Sequence, residues 1–417
     1  MKNKLAVIIL AAGKSTRMKS EAPKVLHPIC GRPVLSYVLD MVKELKADKV
    51  VAVLGYKQEE VRKVLPKEVK VAIQHKLIGT ADAVKAALPA LKGFKGTVLV
   101  LYGDTPLLKR DTISKLLKYH NENGMAATLL VAQLNKPAGY GRILRDKLTN
   151  ICGIREDKDA DDFEKDIKEI NTGIICFNKQ SLSSVLGRIS ANNRKKEYYL
   201  TDAVTLLYNS GKLVDGIKIA DINEALGINS RVELAKANSI MQARINEKLM
   251  LEGVSIVDPS SAFISYGVKI GRDSVIYPFT VIESSVKIGK RCSIGPFAHL
   301  REGTIIENDV VLGNFFEAVR ARVGAGTWAK HFSYLGDAKL GKGVNIGAGT
   351  VIANFDGRSK QFTTIKDKAM IGSDTVLVAP VKVGRGAMTG AGSIVTHDVA
   401  DRTVVAGVPA RVLKRKG

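Results

Sequence analysis

The stretch IGRDSVIYPFTVIESSVKIGKRCSIGPFAHL, residues 270–300, decides the fold of the second half of the chain. Aliphatic side chains return at every sixth position through and around it, often with glycine next: Ile264, Ile270, Ile276, Ile282, Ile288, Ile294, Leu300, Ile306 and Leu312. A strand repeats every two residues and a helix about every 3.6, so neither explains a period of six. Stacked hexapeptide coils do, because each coil turns its corners at fixed intervals around a shared aliphatic interior. We therefore predict a left-handed parallel β-helix.

The six-residue period shifts its phase near two positions, Val323 and Leu340. It resumes further along the chain, at Ile365, Ile371, Leu377 and Val383. Because each coil buries little apolar surface alone, we expect the removal of internal coils to destabilise the whole stack.

Residues 1–229 follow a different pattern, in which short apolar runs alternate with helical stretches. LAVIIL (5–10), VLVLYGD (98–104) and NTGIICF (171–177) are typical of buried strands, and VLSYVLDMVKEL (34–45) is typical of an amphipathic helix. The alternation predicts a Rossmann-like α/β domain with a largely parallel sheet. Ligands of such sheets bind beyond the carboxyl ends of the strands, so we expect the chemistry in the loops after LAVIIL and VLVLYGD.

A linker helix is predicted between these two parts of the chain, over residues 230–252. Apolar residues there have helical spacing, and Gly253 is suited to end the helix: the apolar positions are Leu234, Met241, Ile245 and Leu249. The predicted segments are therefore 1–229, 230–252 and 253–417.

Composition narrows the classes of function. The 417 residues contain 64 Lys and Arg against 41 Asp and Glu, a net charge of +23. Such an excess suits nucleic acid or phosphate-rich small molecules, and the lack of zinc-finger, RNA-recognition or aromatic–basic signatures favours small molecules. No run approaches the roughly 20 apolar residues of a membrane span. Four cysteines far apart in sequence (Cys30, Cys152, Cys176, Cys292) argue against a zinc site or disulfide framework and favour a reducing cytoplasm.

The loop AAGKSTRMKSEAPK, residues 11–24, contains a Gly-Lys-Ser-Thr run like the end of a Walker A motif. That motif needs a second glycine five residues before Gly13, where Ile8 stands, so the pattern excludes a P-loop. The loop nevertheless follows a buried strand, begins with small residues and supplies three cations, Lys14, Arg17 and Lys24. These features indicate that it binds phosphate groups.

Stretches dispersed over nearly the whole chain resemble one bacterial family, the bifunctional N-acetylglucosamine-1-phosphate uridylyltransferases and glucosamine-1-phosphate N-acetyltransferases. The matching stretches are LAAGKSTRMKSEAPKVLHPICGRPVL (10–35), LYGDTPLL (101–108), GYGRILRD (139–146), EINTGI (169–174), EYYLTDAV (197–204), NFFEAVRARVGAG (314–326), HFSYLGDAKLGKGVNIGAGTVIANFDG (331–357) and GSDTVLVAP (372–380). The resemblance implies that acetyl-CoA and UTP are used to make UDP-N-acetylglucosamine, a cell-wall precursor. It further implies Mg²⁺ as cofactor and a cytoplasmic homotrimer acting on small molecules, with no nucleic-acid or membrane partner.

For uridylyl transfer, the resemblance implies that Arg17 and Lys24 are catalytic cations and that Asp104 and Asn229 hold the metal. The residues implied to line the nucleotide, with Gln74, Gly79 and Thr80 reading uracil, are Leu10, Ala11, Ala12, Gly13, Lys24, Gln74, Gly79 and Thr80. The residues implied to contact the sugar phosphate are Tyr102, Gly103, Gly141, Glu156, Asn171, Tyr199, Thr201 and Asn229.

For acetyl transfer, the resemblance makes His331 the general base that takes a proton from the substrate amine. Histidine suits this role because its imidazole exchanges protons near neutral pH. The residues implied to hold glucosamine phosphate are Arg301, Tyr334, Asn345, Asn354 and Lys360. Those implied to lie beside acetyl-CoA are Asn354, Ser373, Ala391 and Arg411.

The chain departs from the family pattern at three places. Ala81-Asp82 replaces the usual Gly-His, Val319 replaces a lysine, and Gly407 replaces an arginine for which Arg411 is the candidate substitute. Neighbouring residues of a strand point to opposite faces, so Arg320 does not automatically replace the missing lysine. Two alternatives therefore stay open for the β-helix: it acetylates a different amino-sugar-1-phosphate, or it is a non-catalytic trimerisation module.

Overall fold

The computed structural model describes residues 4–14 and 16–415. The chain divides into two compact units between Ala237 and Asn238. The dividing point lies within one long helix, Arg231–Leu251, here called α8. None of the helices in the described ranges has both the length and the hydropathy of a segment that crosses a membrane.

The first unit is an α/β sandwich. Its strands are β1 (Leu5–Ala11), β2 (Pro28–Ile29), β3 (Arg32–Pro33), β4 (Lys49–Leu54), β5 (Lys70–Ile73), β6 (Thr97–Tyr102), β7 (Ala127–Gln133), β8 (Arg142–Arg145), β9 (Ile151–Arg155), β10 (Glu169–Asn178) and β11 (Val214–Lys218). Its helices are α1 (Val34–Glu44), α2 (Gln58–Arg62), α3 (Thr80–Ala87), α4 (Arg110–Glu122), α5 (Asp162–Lys165), α6 (Lys179–Leu186) and α7 (Asp202–Asn209). Single 3-10 turns lie at Thr16–Met18, Lys24–Leu26, Leu88–Leu91 and Ile222–Ala225.

The central sheet has the order β11–β7–β10–β6–β1–β4–β5, and the pair β8–β9 extends from β10. Along this order the pairs are parallel, except that β10 runs antiparallel to β6 and β7; β8 is antiparallel to both β10 and β9. The prediction of a largely parallel α/β sheet is thereby confirmed. Alternate residues of β1 enter different cores, with Ile8 on one side and Ile9 on the other. Both faces of the sheet are therefore buried, which explains why its strands read as continuous apolar runs.

The second unit is the predicted left-handed parallel β-helix, a three-sided stack of short strands. The first face contains β12 (Ser255–Ile256), β15 (Val275–Ile276), β18 (Ser293–Ile294), β21 (Val311–Leu312), β24 (Trp328–Ala329), β27 (Asn345–Ile346), β30 (Met370–Ile371), β33 (Met388–Thr389), β35 (Thr403–Ala406) and β36 (Arg411–Arg415). The second contains β13 (Phe263–Ile264), β16 (Val281–Ile282), β19 (His299–Leu300), β22 (Phe316–Val319), β25 (Ser333–Gly336), β28 (Val351–Ala353), β31 (Val376–Val378) and β34 (Ile394–Val395). The third contains β14 (Lys269–Ile270), β17 (Lys287–Ile288), β20 (Ile305–Ile306), β23 (Arg322–Val323), β26 (Ala338–Leu340), β29 (Thr363–Ile365) and β32 (Val381–Val383).

The hexapeptide period sets the register of the coils. Ile276 pairs with Ile294 and Ile294 with Leu312, eighteen residues apart on the first face, and all three are buried. Burial of each such side chain stabilises the fold by about 1.5–3 kcal/mol. The open end of the stack is closed by α8, since the buried Asn246 donates hydrogen bonds to the carbonyls of Pro259 and Ala262.

The shifts of phase have a common origin at the corner between the second and third faces. Two coils are one residue shorter there, so that Ile306 pairs with Val323 and Val323 with Leu340, seventeen residues apart. At the next coil Leu340 pairs with Ile365, twenty-five residues on, because residues 354–362 form an extra loop. The strands elsewhere on the coils stay in register, so the irregularities are confined to one corner.

Candidate functional site

In the first unit, two loops open side by side at the carboxyl ends of β1 and β6. Leu10 is opposite Tyr102 in the parallel register, and Gly103 donates its N–H to the Leu10 carbonyl at 2.9 Å. A Cβ on Gly103 would lie 3.1 Å from Leu35 and 3.2 Å from Ala11, so a glycine allows this close passage. These are the loops in which the sequence predicted the chemistry.

Two adjoining clefts share the residues at these strand ends. Cleft 1 is lined by every residue proposed for the nucleotide: Leu10, Ala11, Ala12, Gly13, Lys24, Gln74, Gly79 and Thr80. Cleft 2 is lined by Arg17, Gly141, Glu156, Asn171 and Asn229. Lys24, Tyr102 and Asp104 line both clefts. The structure thus joins the two groups of residues at one point.

That junction contains one cation and two hard oxygen groups. The Lys24 ammonium forms an ion pair with Asp104 and donates to Asn229 Oδ1 at 3.1 Å. The Asp104 carboxylate and the Asn229 amide oxygen therefore converge on one position, although 125 positions separate them in sequence. Within residues 4–14 and 16–415, no group of three or more His, Cys, Asp and Glu forms a complete metal cage. Two protein oxygens suit Mg²⁺, which usually keeps water and phosphate ligands.

Glu156 in cleft 2 is a partly buried carboxylate that is hydrogen-bonded to a hydroxyl. Burial raises its pKa above the ordinary value, and the Thr201 hydroxyl opposes this by donating to Glu156 Oε1 at 3.0 Å. Burial also raises the pKa of the Tyr102 and Tyr199 phenols. The two phenols are therefore neutral hydrogen-bonding groups at physiological pH.

A β-bulge in β10 forms one wall of cleft 2. The register against β7 shifts between Asn171 and Ile175, and Gly173 within the bulge has a φ of +83°. Asn171 accepts the Gly173 N–H at 3.0 Å through its side chain and donates its own N–H to the Gly141 carbonyl at 2.8 Å. A Cβ on Gly173 would lie 2.5 Å from the Tyr102 ring. The bulge thus sets Asn171 beside Gly141 and Tyr102.

Several residues that line these clefts were not predicted from the sequence. Leu77 and Glu197 line cleft 1, and Tyr140 and Glu233 line cleft 2. Glu233 accepts the N–H of Asn229 at 2.7 Å, so it helps to hold a proposed metal ligand. The Ser-x-x-Glu pattern at 230–233, which resembles a capping box at the start of α8, was the available signal for it. The other three residues had no comparable signal.

In the second unit, a cluster of polar residues surrounds the irregular corner between the second and third faces, here called the corner site. Arg301 donates from Nη1 to Glu317 at 3.0 Å, and Glu317 pairs in register with Tyr334. Lys360, on the extra loop, lies with its ammonium 4.6 Å from the centre of the Phe355 ring. Arg301, Tyr334 and Asn354 lie around this corner, and Lys360 follows Asn354 on the extra loop.

Gly336 lies at the centre of the corner site. A Cβ on this glycine would be 2.5 Å from both the Tyr334 hydroxyl and Asn354 Nδ2. Asn354 in turn donates to Asp337, and Arg320 binds both oxygens of Asp337 at 2.5 and 2.8 Å. The Arg320 guanidinium also holds the pKa of Asp337 below its ordinary value. Tyr334 and Asn354 thus occupy the space that a side chain at 336 would need.

Val319 ends β22, and Arg320 directly after it has a φ of +49°, outside the strand conformation. Val319 is 4% exposed, whereas Arg320 is exposed and ion-paired with Asp337. Arg320 therefore lies beside the corner site, whereas Val319 is buried. The positive charge of Arg320 is already balanced by the Asp337 carboxylate.

Two of the residues proposed for acetyl-CoA, Ser373 and Ala391, lie at a different corner, at the end of the first face. The strand register aligns Trp328, Asn345, Met370, Met388 and Val404. The residues three positions after Trp328, Met370, Met388 and Val404 are His331, Ser373, Ala391 and Gly407. These four occupy equivalent positions at this corner and form one column along the β-helix. Gly407 has a φ of +99°, which favours glycine over arginine, and Arg411 pairs with the adjacent Ala406.

Within one chain, His331 and Gly336 at the centre of the corner site lie beyond the start and at the end of β25, respectively. His331 precedes β25 and Gly336 ends it, and a strand of four residues spans about 13 Å. Asn345 also lies away from the corner site, on the first face. Most of the residues proposed for acetyl transfer thus fall into two groups, at two corners of the β-helix.

The column beside His331 also contains stacked aromatic side chains. Phe279, Phe297 and Phe315 occupy equivalent positions of successive coils, with ring centres 5.0 Å apart and planes within 13° of parallel. Each is about half exposed. Phe332 stands at the same position of the next coil, directly after His331.

Comparison with known proteins covers both units. Residues 7–168 match the MobA-like NTP transferase domain. Residues 267–301 match the bacterial transferase hexapeptide model, and residues 363–397 match the hexapeptide repeat of succinyl-transferase. These matches agree with an α/β first unit and a β-helical second unit.

Full-length relatives match the two units together. The bifunctional protein GlmU of Carboxydothermus hydrogenoformans is 43% identical over 430 aligned positions, which cover 95% of this chain and 96% of that protein. That of Thermosipho africanus is 42% identical over 452 positions, covering 99% and 98%. That of Geobacillus sp. (strain WCH70) is 42% identical over 430 positions, covering 95% and 94%. Identity of this extent across both units shows that the chain belongs to the GlmU family of bifunctional proteins.

Proposed function

We propose that this chain makes UDP-N-acetylglucosamine in two steps, acetyl transfer from acetyl-CoA to glucosamine-1-phosphate and then uridylyl transfer from UTP to N-acetylglucosamine-1-phosphate. The observation that carries the proposal is the junction of clefts 1 and 2, where Lys24, Asp104 and Asn229 meet. A nucleotide in cleft 1 and a sugar phosphate in cleft 2 would place their reacting phosphates at this junction. Membership of the GlmU family supports the same assignment.

In uridylyl transfer, a phosphate oxygen of the sugar-1-phosphate attacks the α-phosphorus of UTP, and pyrophosphate leaves with its bonding electrons. The attacking oxygen is already anionic, so no general base is needed. The side chains of Lys24 and Arg17 hold the phosphates in line and balance charge in the transition state. Asp104 and Asn229 would hold Mg²⁺, which supplies further charge neutralisation when bound.

In acetyl transfer, the amine nitrogen of glucosamine-1-phosphate attacks the thioester carbon of acetyl-CoA. The new C–N bond replaces the C–S bond, and the His331 imidazole takes the proton that the amine loses and returns it to the departing thiolate. Arg301 and Lys360 provide positive charge for the sugar phosphate, while Tyr334 and Asn354 orient the sugar. Ser373, Ala391 and Arg411 would lie along the coenzyme.

We propose that neighbouring copies of the chain complete this second site in a homotrimer. About 13 Å of β25 separates His331 from Gly336 and Asn354 in one chain, so a base and a sugar site at hydrogen-bond distance need groups from another copy. The small-molecule substrates and the wide spacing of the four cysteines in the sequence support a cytoplasmic enzyme.

Two variants and two assays test the proposal. His331→Ala should abolish thiol release from acetyl-CoA with glucosamine-1-phosphate and leave pyrophosphate release from UTP unchanged. Asp104→Ala should abolish pyrophosphate release from UTP and leave thiol release from acetyl-CoA unchanged. The matched controls are His397→Ala and Asp162→Ala, which alter exposed side chains that are assigned to neither site.

The wild-type thiol assay also separates the alternatives for the β-helix. Release with glucosamine-1-phosphate supports the bifunctional enzyme, and release with galactosamine-1-phosphate alone would assign the β-helix to a different amino sugar. No release with either sugar, together with intact pyrophosphate release, would leave the β-helix as a non-catalytic module. Loss of both activities in a folded His331→Ala protein would contradict two separate sites.

A further inference from the structure

One contact in cleft 1 fixes the orientation of a buried amide. Gln74 follows β5 and is 6% exposed. Its Nε2 donates to the Gly79 carbonyl at 2.9 Å and to Asp82 Oδ2 at 3.0 Å. Asp82 lies in the first turn of α3, at one of the places where the chain departs from the family pattern.

The chemistry of these partners allows only one orientation. A carbonyl and a carboxylate both accept hydrogen bonds and donate none, so a reversed amide would face two oxygens with its own oxygen. Both hydrogens of the Gln74 amide are thereby used. The polar atom that this side chain can offer a ligand in cleft 1 is the acceptor Oε1.

The Gly79 carbonyl is itself held in place by the surrounding loop. Gly79 has a φ of +130°, and a Cβ there would lie 2.5 Å from the Tyr198 nitrogen. Hydrogen bonds join Tyr198 to Ile78 at 2.7 Å and Ala81 to Tyr198 at 2.9 Å. Of the two acceptors that bind the Gln74 amide, one is therefore a backbone carbonyl fixed by its loop, and the other is the Asp82 side chain.

We propose that Asp82 is a positioning residue that fixes Gln74 as a hydrogen-bond acceptor and thereby selects uracil over cytosine. The inference rests on the proposed function, since it concerns the base of the nucleotide in cleft 1. Uracil carries a hydrogen on ring nitrogen N3 and can donate it to Oε1. Cytosine has a lone pair on N3, which would face Oε1 without a hydrogen between them. Thymine shares the N3–H group, so this contact does not reject it.

Removal of the Asp82 carboxylate should reduce discrimination between the two bases. Without it, one amide hydrogen loses its partner and Gln74 can turn its NH₂ group toward the base. We expect Asp82→Ala to lower the ratio of kcat/KM for UTP to that for CTP by about tenfold, the effect of one hydrogen bond of about 1.4 kcal/mol. The change should come mainly from a higher KM for UTP, because the phosphate groups are untouched.

The test measures pyrophosphate release from UTP and CTP for the wild type, Asp82→Ala, Gln74→Leu and the double variant. Gln74→Leu should also lower the UTP:CTP ratio, and Asp82→Ala should change the ratio no further once Gln74 is gone. Lys85→Ala, an exposed position on the same helix, is the matched control and should keep the wild-type ratio. Asp82→Leu keeps a side chain of similar length but accepts no hydrogen bond, and it replaces Asp82→Ala if that variant does not fold.

An unchanged ratio in both Asp82 variants, or an additional fall in the double variant, would overturn the inference. Calorimetric titration with UTP and CTP alone separates this result from a failure of the proposed function. Selective binding of UTP that depends on Asp82, without pyrophosphate release, would support the inference and contradict the proposed reaction. Pyrophosphate release at equal rates from UTP and CTP would support the proposed reaction and contradict the inference about Asp82.

Discussion

Replacement of Gly336 by alanine should damage acetyl transfer by a mechanism that can be worked out from distances. The added Cβ would lie 2.5 Å from both the Tyr334 hydroxyl and Asn354 Nδ2, whereas an ordinary contact is about 3.5 Å. Both polar groups must therefore retreat by about 1 Å. A misplacement of that size is enough to reduce catalysis about 100-fold, which corresponds to about 2.7 kcal/mol in the activation free energy. Crowding should also lower the free energy of unfolding by about 1–3 kcal/mol.

The measurement compares two activities in one preparation of Gly336→Ala. We expect thiol release from acetyl-CoA with glucosamine-1-phosphate to fall about 100-fold in kcat/KM, and pyrophosphate release from UTP to be unchanged. Gly326→Ala is the matched control, because its Cβ meets no heavy atom within 4 Å but its φ of +67° imposes strain of about 1–2 kcal/mol. Wild-type acetyl transfer by Gly336→Ala would refute the assignment of Tyr334 and Asn354 to the sugar site.

Three further outcomes are expected. Arg320→Ala removes the guanidinium that holds Asp337, so the KM for glucosamine-1-phosphate in the thiol-release assay should rise about tenfold, and an unchanged KM would contradict this role. Thr201→Val removes the hydroxyl that lowers the pKa of Glu156, so that pKa rises and the acidic limb of pyrophosphate release against pH should move to higher pH, not lower. Ile276→Ala should lower the free energy of unfolding in urea by about 2–5 kcal/mol, and a loss below about 1 kcal/mol would count against tight packing of the coils.

The β-helix was predictable because its interior repeats in sequence. Ile276, Ile294 and Leu312 occupy one register position, and their spacing can be counted in the sequence without the structure. The changes of phase in the six-residue period near Val323 and Leu340 fall at the corner site. Periodicity alone did not show that both shortened turns and the extra loop fall on the same corner, because that requires the pairing of all three faces.

Contacts between polar side chains were harder to predict, because they have no period. The hydrogen bond between Gln74 and Asp82 depends on the turn before α3. The convergence of Asp104 and Asn229 depends on two loops that are distant in sequence. The antiparallel direction of β10 could not be predicted from the sequence for a related reason. A strand buried on both faces has the same apolar composition whether it runs parallel or antiparallel to its neighbours. Resemblance to a family supplied these residues as candidates without showing their contacts.

Confinement of the length changes to one corner has a consequence for protein engineering. The turns at that corner vary by several residues, while the strands before and after them keep their partners. Such a turn can be exchanged as a cassette, because the stack on either side does not have to be rebuilt. Transplanting residues 354–362 onto an unmodified coil of the same β-helix would show whether substrate preference can be moved along the stack independently of the fold.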